Sequence, residues 1–496
     1  MPSYSRDKFL EEFELSLDKE FEWKGSVAKW APGHDGPRFW GDEDDLIQPG
    51  DNDDDKSTRM SSEAVLTSDG LFLAVSSRAI IEIYDMESFA LCSRIIGPEN
   101  DVQKLFFIDK KDVSKAEDHS YILFSENADV SGRDGKIYTW FIDSHGFLRR
   151  DLRIAPLPVE AMSTEASATI SRRLIEEHGL DPLEIELIRK GFLEALKSAD
   201  SRNRVKHLPS HNGHFPHFNA QPISHDGTRT LHIVHGETTQ HGMRPPDELP
   251  QIIVMDIATG KEKCRLRGHE DAIMWAGWSL DDKVIATAAW DQFYMLWDAD
   301  SGKCLHVIGA TGGQNWAGAF LPDGTHVLLS GGQPVEVAIF NVETAEKVTT
   351  LSPPEGVKLD HWMRYFTVHP TENLIIIQNG LTLLAWRPAI MQSQASGPEV
   401  EEIFALTPDS ERLKNTFNNV TIMQWADDGR KLLAKGSDST DYVWDVDKNL
   451  KWRFQRPKGR KCKVYGGEVI LVKRKDGQWI VSLDGDGRVR LWKMEP

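Results

Sequence analysis

The sequence predicts an all-β fold, a closed β-propeller of four-stranded antiparallel blades, on two recurring marks and one period. The first mark is a tight Asp-Gly turn between apolar runs, at Asp69, Asp226, Asp323, Asp428 and Asp476, with "SLDD" at Asp281 as a variant. Gly accepts positive φ, so such turns join antiparallel strands. The second mark is a strand ending in an aromatic residue, in "IIEIYD", "IYTWFID", "YMLWD", "VAIFN", "LLAWRP", "DYVWD" and "RVRLWK". The interval from turn Asp to that aromatic is 16 residues for Asp281–Trp297, Asp428–Trp444 and Asp476–Trp492, 17 for Asp323–Phe340 and 15 for Asp69–Tyr84. With Met255 of "QIIVMD" in the same role there are eight units, spaced 42 to 58 residues apart except for one interval of 115 between Trp140 and Met255. Four-stranded units at this period build a propeller. Eight blades are expected, and seven is the alternative.

Each unit reads strand, Asp-Gly turn, strand, short turn, strand, then a weaker fourth strand such as "GKEKCRLR" or "GKCLHVIG". The last unit ends at its third strand, "RVRLWKMEP". Its open edge needs a partner, so part of the acidic N-terminal segment 1–60, near "FEWKGSVAKW", is the expected donor, and residues 61–496 form the propeller. The long interval holds an insertion over residues 155–212, read as a helical hairpin. Its first helix starts with a Ser-x-x-Glu capping box at Ser163, and its second has Asp181 as N-cap and Pro182 at the first helical position. Leu183, Leu187, Ile188, Phe192 and Leu196 form an apolar stripe on that helix, read as packing the hairpin, as a lid, onto its own propeller, with capture of a partner as the alternative. A second extension, residues 236–250, falls in the same unit's second-to-third turn, and both are expected on one face, termed the top.

Residues 268–308 resemble a WD repeat, in the pattern "GH…SLDDK…ATAAWDQFYMLWD". Intact Trp-Asp endings occur only at Trp297–Asp298 and Trp444–Asp445. The resemblance implies a buried structural hydrogen-bond network of His269, Thr287, Asp291 and Trp297, with Asp291 between His269 and the other donors. The Asp-to-Trp spacing of six recurs at Asp134–Trp140, Asp438–Trp444 and Asp486–Trp492. His, Asp and a hydroxyl also compose a hydrolase triad. A mid-strand hydroxyl, the repetition of the Asp-Trp pair and the lack of a G-x-S-x-G elbow argue for structure instead. The resemblance also implies a non-catalytic platform for protein or peptide partners. The Trp-Asp-x-Arg pattern of ubiquitin-ligase receptor propellers is missing, since Ala299–Asp300 and Val446–Asp447 follow the two Trp-Asp pairs.

Composition narrows the partners. The net charge of −19 argues against general affinity for nucleic acid or anionic membranes. Residues 451–475 carry ten Lys and Arg against Glu468 alone, but strand order splits them, so a solvated face or docking of the acidic run "GDEDDLIQPGDNDDD" is favoured over RNA binding through Arg453, Arg456, Lys458, Arg460, Lys461 and Lys463. The four Cys lack metal-like spacing, and Cys92, Cys264 and Cys304 are read as small buried apolar residues. With no signal peptide and no long apolar run, a cytoplasmic or nuclear protein is expected. Eight of the seventeen His fall in residues 207–241, including His211, His214 and His217; no Cys or carboxylate completes a zinc set, so no metal is expected, and a pH-sensitive surface is the other reading. No phosphate-loop, dinucleotide, zinc-protease or kinase motif appears, so neither catalysis nor a cofactor is expected. A site in the central channel or under the lid is the enzymatic alternative. The candidate partner-binding residues are Arg133, Trp275, Trp290, Trp316 and Trp362 on the top, because Trp and Arg dominate interface energies. About half of these Trp are expected to fill space between blades.

Overall fold

The computed structural model describes residues 61–494 apart from 78, 97–100, 110–119, 128–134, 149–209, 219, 236–247, 354, 356–357, 360–362, 380–381, 391–401, 406–419, 437–440, 455–467 and 484–488. It also describes the N-terminal stretches 22–23, 26–27, 29–31 and 46–47. Among these residues the regular elements are strands, which form eight blades and, outside them, a two-stranded pairing of Glu22–Trp23 with Ser26–Val27. The expected helical hairpin, 155–212, lies outside the described residues apart from its last three.

The fourth blade shows the plan. Its strands Ile273–Trp278, Val284–Ala289, Tyr294–Asp298 and Cys304–Ile308 pair antiparallel in sequence order. The bottom turn between its first two strands places Asp282 at φ +58°, where the Asp-Gly turns of other blades place Gly70, Gly227 and Gly324 at φ +75°, +69° and +70°. Asp tolerates this left-handed conformation better than most residues, and its carboxylate accepts the backbone N–H of His225 and of Asp226, tying the bottom of the third blade to the fourth.

The period has its physical cause in the seams between blades. Eight hydrophobic clusters are built from the described residues, and each joins two neighbouring blades. Tyr84, Trp140, Trp297, Phe340, Trp386, Trp444 and Trp492 each fall in the cluster shared with the preceding blade. The sheet's side-chain alternation sends the aromatic end of every third strand the same way round the ring. The cluster of Val472, Val481 and Leu491 with Leu73, Val75 and Tyr84 packs the eighth blade on the first and closes the ring.

Closure also involves the N-terminal segment, with a division of labour that differs from expectation. Lys29–Trp30, within the "FEWKGSVAKW" stretch, pairs in parallel with Leu450–Phe454 and adds a fifth strand to the seventh blade. Leu46–Ile47 pairs antiparallel with Val489–Met494 as the outer strand of the eighth. Leu148 bridges Ile142, and His211–Asn212 pairs with Lys136–Ile137, so the described residues on either side of the long interval both lie against the third strand of the second blade.

Candidate functional site

The His269 quartet lies between the third and fourth blades. His269 precedes the first strand of the fourth blade and Asp291 sits in the turn between its second and third strands; antiparallel succession brings both to the top end. The imidazole Nδ1 donates to Asp291 Oδ2 at 2.7 Å and its Nε2 lies 2.7 Å from Thr287 Oγ1, while the Trp297 indole donates to the same hydroxyl at 3.0 Å. The order is therefore Trp297, Thr287, His269, Asp291, with His269 central rather than Asp291. Thr287 lies mid-strand, below the reach of a turn carboxylate, and the imidazole spans the gap. Asp291 also accepts the backbone N–H of Glu270 and Phe293 at 3.0 Å each.

Asp, His and hydroxyl in this order match the connectivity of a hydrolase triad, yet access is missing. Thr287 is 0% exposed and His269 1%, and the indole of Trp297 occupies the hydroxyl that would attack. A substrate carbonyl has no approach, so the arrangement fastens strands. The second blade repeats part of it: Ser125, in the cross-strand position of Thr287, accepts the Trp140 indole at 3.0 Å. Asp134, Asp438 and Asp486 lie outside the described residues.

An aromatic and cationic cluster occupies the top ends of the third to sixth blades. Trp290 and Trp316 meet edge to face with centroids 5.4 Å apart. Arg364 lies 4.3 Å over Trp316 and 5.7 Å from the Phe218 ring, with Tyr365 beside Phe218. Trp290 and Arg364 are half-buried and Trp316 is buried. Trp275 is only 2% exposed, and a Cβ placed on Gly318 would come within 2.5 Å of its ring, so this indole fills the seam between the fourth and fifth blades and has no face for a partner. Arg133 and Trp362 lie outside the described residues. Sequence reasoning missed Arg364 and Phe218, because neither lies in a repeated motif.

The remaining expectations resolve locally. Lys451 and Arg453 lie 4.2 and 5.3 Å over the ring of Trp30, Lys473 pairs with Asp427 and Lys475 with Glu87, so the described cations of the basic stretch are engaged within the chain. The rest of the run Arg456–Lys463 lies outside the described residues. His214, His217 and His232 are not solvated loop residues: burial beside the second blade lowers their pKa to about 4, about 2 and about 3. Among the described residues no group of three or more His, Cys, Asp or Glu is placed to hold a metal ion. Cys92, Cys264 and Cys304 are half-buried free thiols at outer strands rather than core residues. No helix among the described residues is long and apolar enough to cross a membrane.

Fold and repeat together define a WD-repeat β-propeller. The WD domain, G-beta repeat family matches residues 260–298, which run from the outer strand of the third blade through the Trp297–Asp298 ending. Among curated proteins, the chain is similar to THO complex subunit 3 of Arabidopsis thaliana, 37% identical over 78 residues, 16% of this chain and 24% of that protein. It is similar to WD repeat-containing protein ATCSA-1 of Arabidopsis thaliana, 22% identical over 258 residues, 47% of this chain and 55% of that protein. The guanine nucleotide-binding protein subunit beta of Saccharomyces cerevisiae is 25% identical over 187 residues, 36% of this chain and 40% of that protein. The chain thus spans between about a quarter and about half of these relatives' lengths.

Proposed function

We propose that the chain is a non-catalytic scaffold that binds protein or peptide partners through the top of its propeller. WD-repeat propellers act as protein-interaction scaffolds, and two of the similar proteins bear the word subunit in their names. The observation that carries the reading is the cluster of Trp290, Trp316, Phe218 and Arg364. It gathers the residue types that dominate interface energies at one end of a ring whose eight packed seams hold them in place. Arg133 and Trp362 belong to the same proposed surface, in which Trp275 has only a supporting part. The cytoplasm or nucleus fits the free thiols of Cys92, Cys264 and Cys304 among the described residues.

Affinity purification tests the proposal. A Trp290→Ala, Trp316→Ala double variant is expected to lose partners that the wild type recovers, and Arg364→Ala, at a half-exposed position, is expected to lose the same ones while unfolding at the wild-type temperature. An unchanged set of partners in all the variants would rule out this surface.

A further inference from the structure

We propose that the outer edge of the fourth blade is a docking site where an extended acidic segment of a partner protein adds as a fifth strand. The site is separate from the top surface and lies on the side of the ring.

The strand Cys304–Ile308 pairs on one side with Tyr294–Trp297, leaving its other edge open among the described residues. Open edges are normally blunted by charge, proline or a covering segment. This strand reads Cys-Leu-His-Val-Ile, and Leu305 and Val307, two residues apart, are 43% and 56% exposed. The outer strand of the third blade instead carries Lys261, Glu262, Lys263, Arg265 and Arg267. The seventh blade shows that this architecture takes an added strand. There Lys29 N–H donates to the Asn449 carbonyl at 3.0 Å and Ala31 N–H to that of Lys451 at 2.9 Å, a main-chain addition to an outer edge.

Charge selects the occupant. Gly268 lies against the side chain of Met295, whose cross-strand partner is Val307, and Arg267 is the residue before that glycine. Lys303 immediately precedes the strand, and both cations are exposed, with Arg267 acting on Glu262 only through space. By contrast Lys263 is held by Asp300 and Arg265 by Glu262. An apolar strand edge flanked by the exposed cations Arg267 and Lys303 is complementary to an acidic segment with alternating apolar residues. A second copy of this chain would bring the same cations together, which disfavours edge-to-edge pairing of two propellers.

Fluorescence anisotropy on the full chain, with a labelled, end-capped decapeptide alternating Glu and Val, tests the proposal. The Glu-Val probe is expected to bind at least about tenfold tighter than its Lys-Val counterpart, and to slow hydrogen exchange at residues 304–308. A Leu305→Glu, Val307→Glu variant, altered only at exposed positions, is expected to lose binding while unfolding at the wild-type temperature; Arg267→Glu with Lys303→Glu is expected to abolish the preference for the acidic probe. Equal binding by wild type and the edge variant, or protection elsewhere in the chain, overturns the proposal. So does a wild-type dimer that the edge variant dissolves, since a second copy would then hold the edge. Because the edge variant leaves Trp290, Trp316 and Arg364 intact, a failure here and a failure of the top surface are read separately.

Discussion

Lys435 and Asp441 form an ion pair 2.7 Å long with side chains 2% and 1% exposed, and Lys435 also donates to Ser482 of the next blade at 3.0 Å. A buried charge without its partner is costly, whereas replacing both members by apolar groups is often neutral. Lys435→Met is therefore expected to lower unfolding free energy by about 3–5 kcal/mol, and a Lys435→Met, Asp441→Leu double variant to recover most of it in urea titrations. Nothing in the local sequence announced this pair, because strand alternation alone does not say which side of a blade a Lys faces. The members of the His269 quartet were legible because one repeat matches the WD pattern closely. Their order was not, since spacing does not tell which of two acceptors an indole reaches.

Blades are the units at which the sequence speaks most clearly. The Asp-Gly turns and aromatic strand ends were readable because each serves a repeated geometric need, a left-handed turn residue and a seam filler. Outer strands were readable only in part. That of the second blade is divided between Leu148 and His211–Asn212, too short on either side to show a period. The seam between the fourth and fifth blades depends on absent side chains: a Cβ on Gly318 would meet the Trp275 ring at 2.5 Å. Gly318→Ala is expected to cost about 1–3 kcal/mol through overpacking, and Trp275→Leu in that background to restore part of the loss, as read by thermal unfolding.

The seam between the second and third blades has a pH dependence of definite sign. His214 and His232 are held neutral by burial, with pKa lowered to about 4 and about 3, while in the unfolded chain both bind protons near the ordinary value of 6.5. The unfolded state then holds more protons, so stability is lost as pH falls from about 6.5 toward 4, by up to about 1.4 kcal/mol per pH unit for each ring. Glu468, raised to about 7 by burial, and Glu63, raised likewise, act in the opposite sense, so the test is a difference: from pH 7 to pH 4.5 the urea midpoint of wild type is expected to fall relative to that of His232→Phe. A slope unchanged in that variant would mean that this ring charges in the folded protein.

At the scale of the whole molecule, eight seams, one of them the closing cluster between the eighth and first blades, make a ring, and the N-terminal segment borders its last two blades at Lys29–Trp30 and Leu46–Ile47. An acidic segment completing the ring was inferable from the missing fourth strand, but its register was not, because two-residue pairings leave no periodic signal. In the proposed function this ring is a platform, and His269, although it sits between an Asp and a hydroxyl, fastens strands. The most direct measurement is the thermal unfolding of His269→Ala together with its recovery of partners at a temperature where wild type and variant are both folded. The expected result is a loss of about 1–3 kcal/mol with an unchanged set of partners. Wild-type stability combined with a lost binding or catalytic activity would contradict the account.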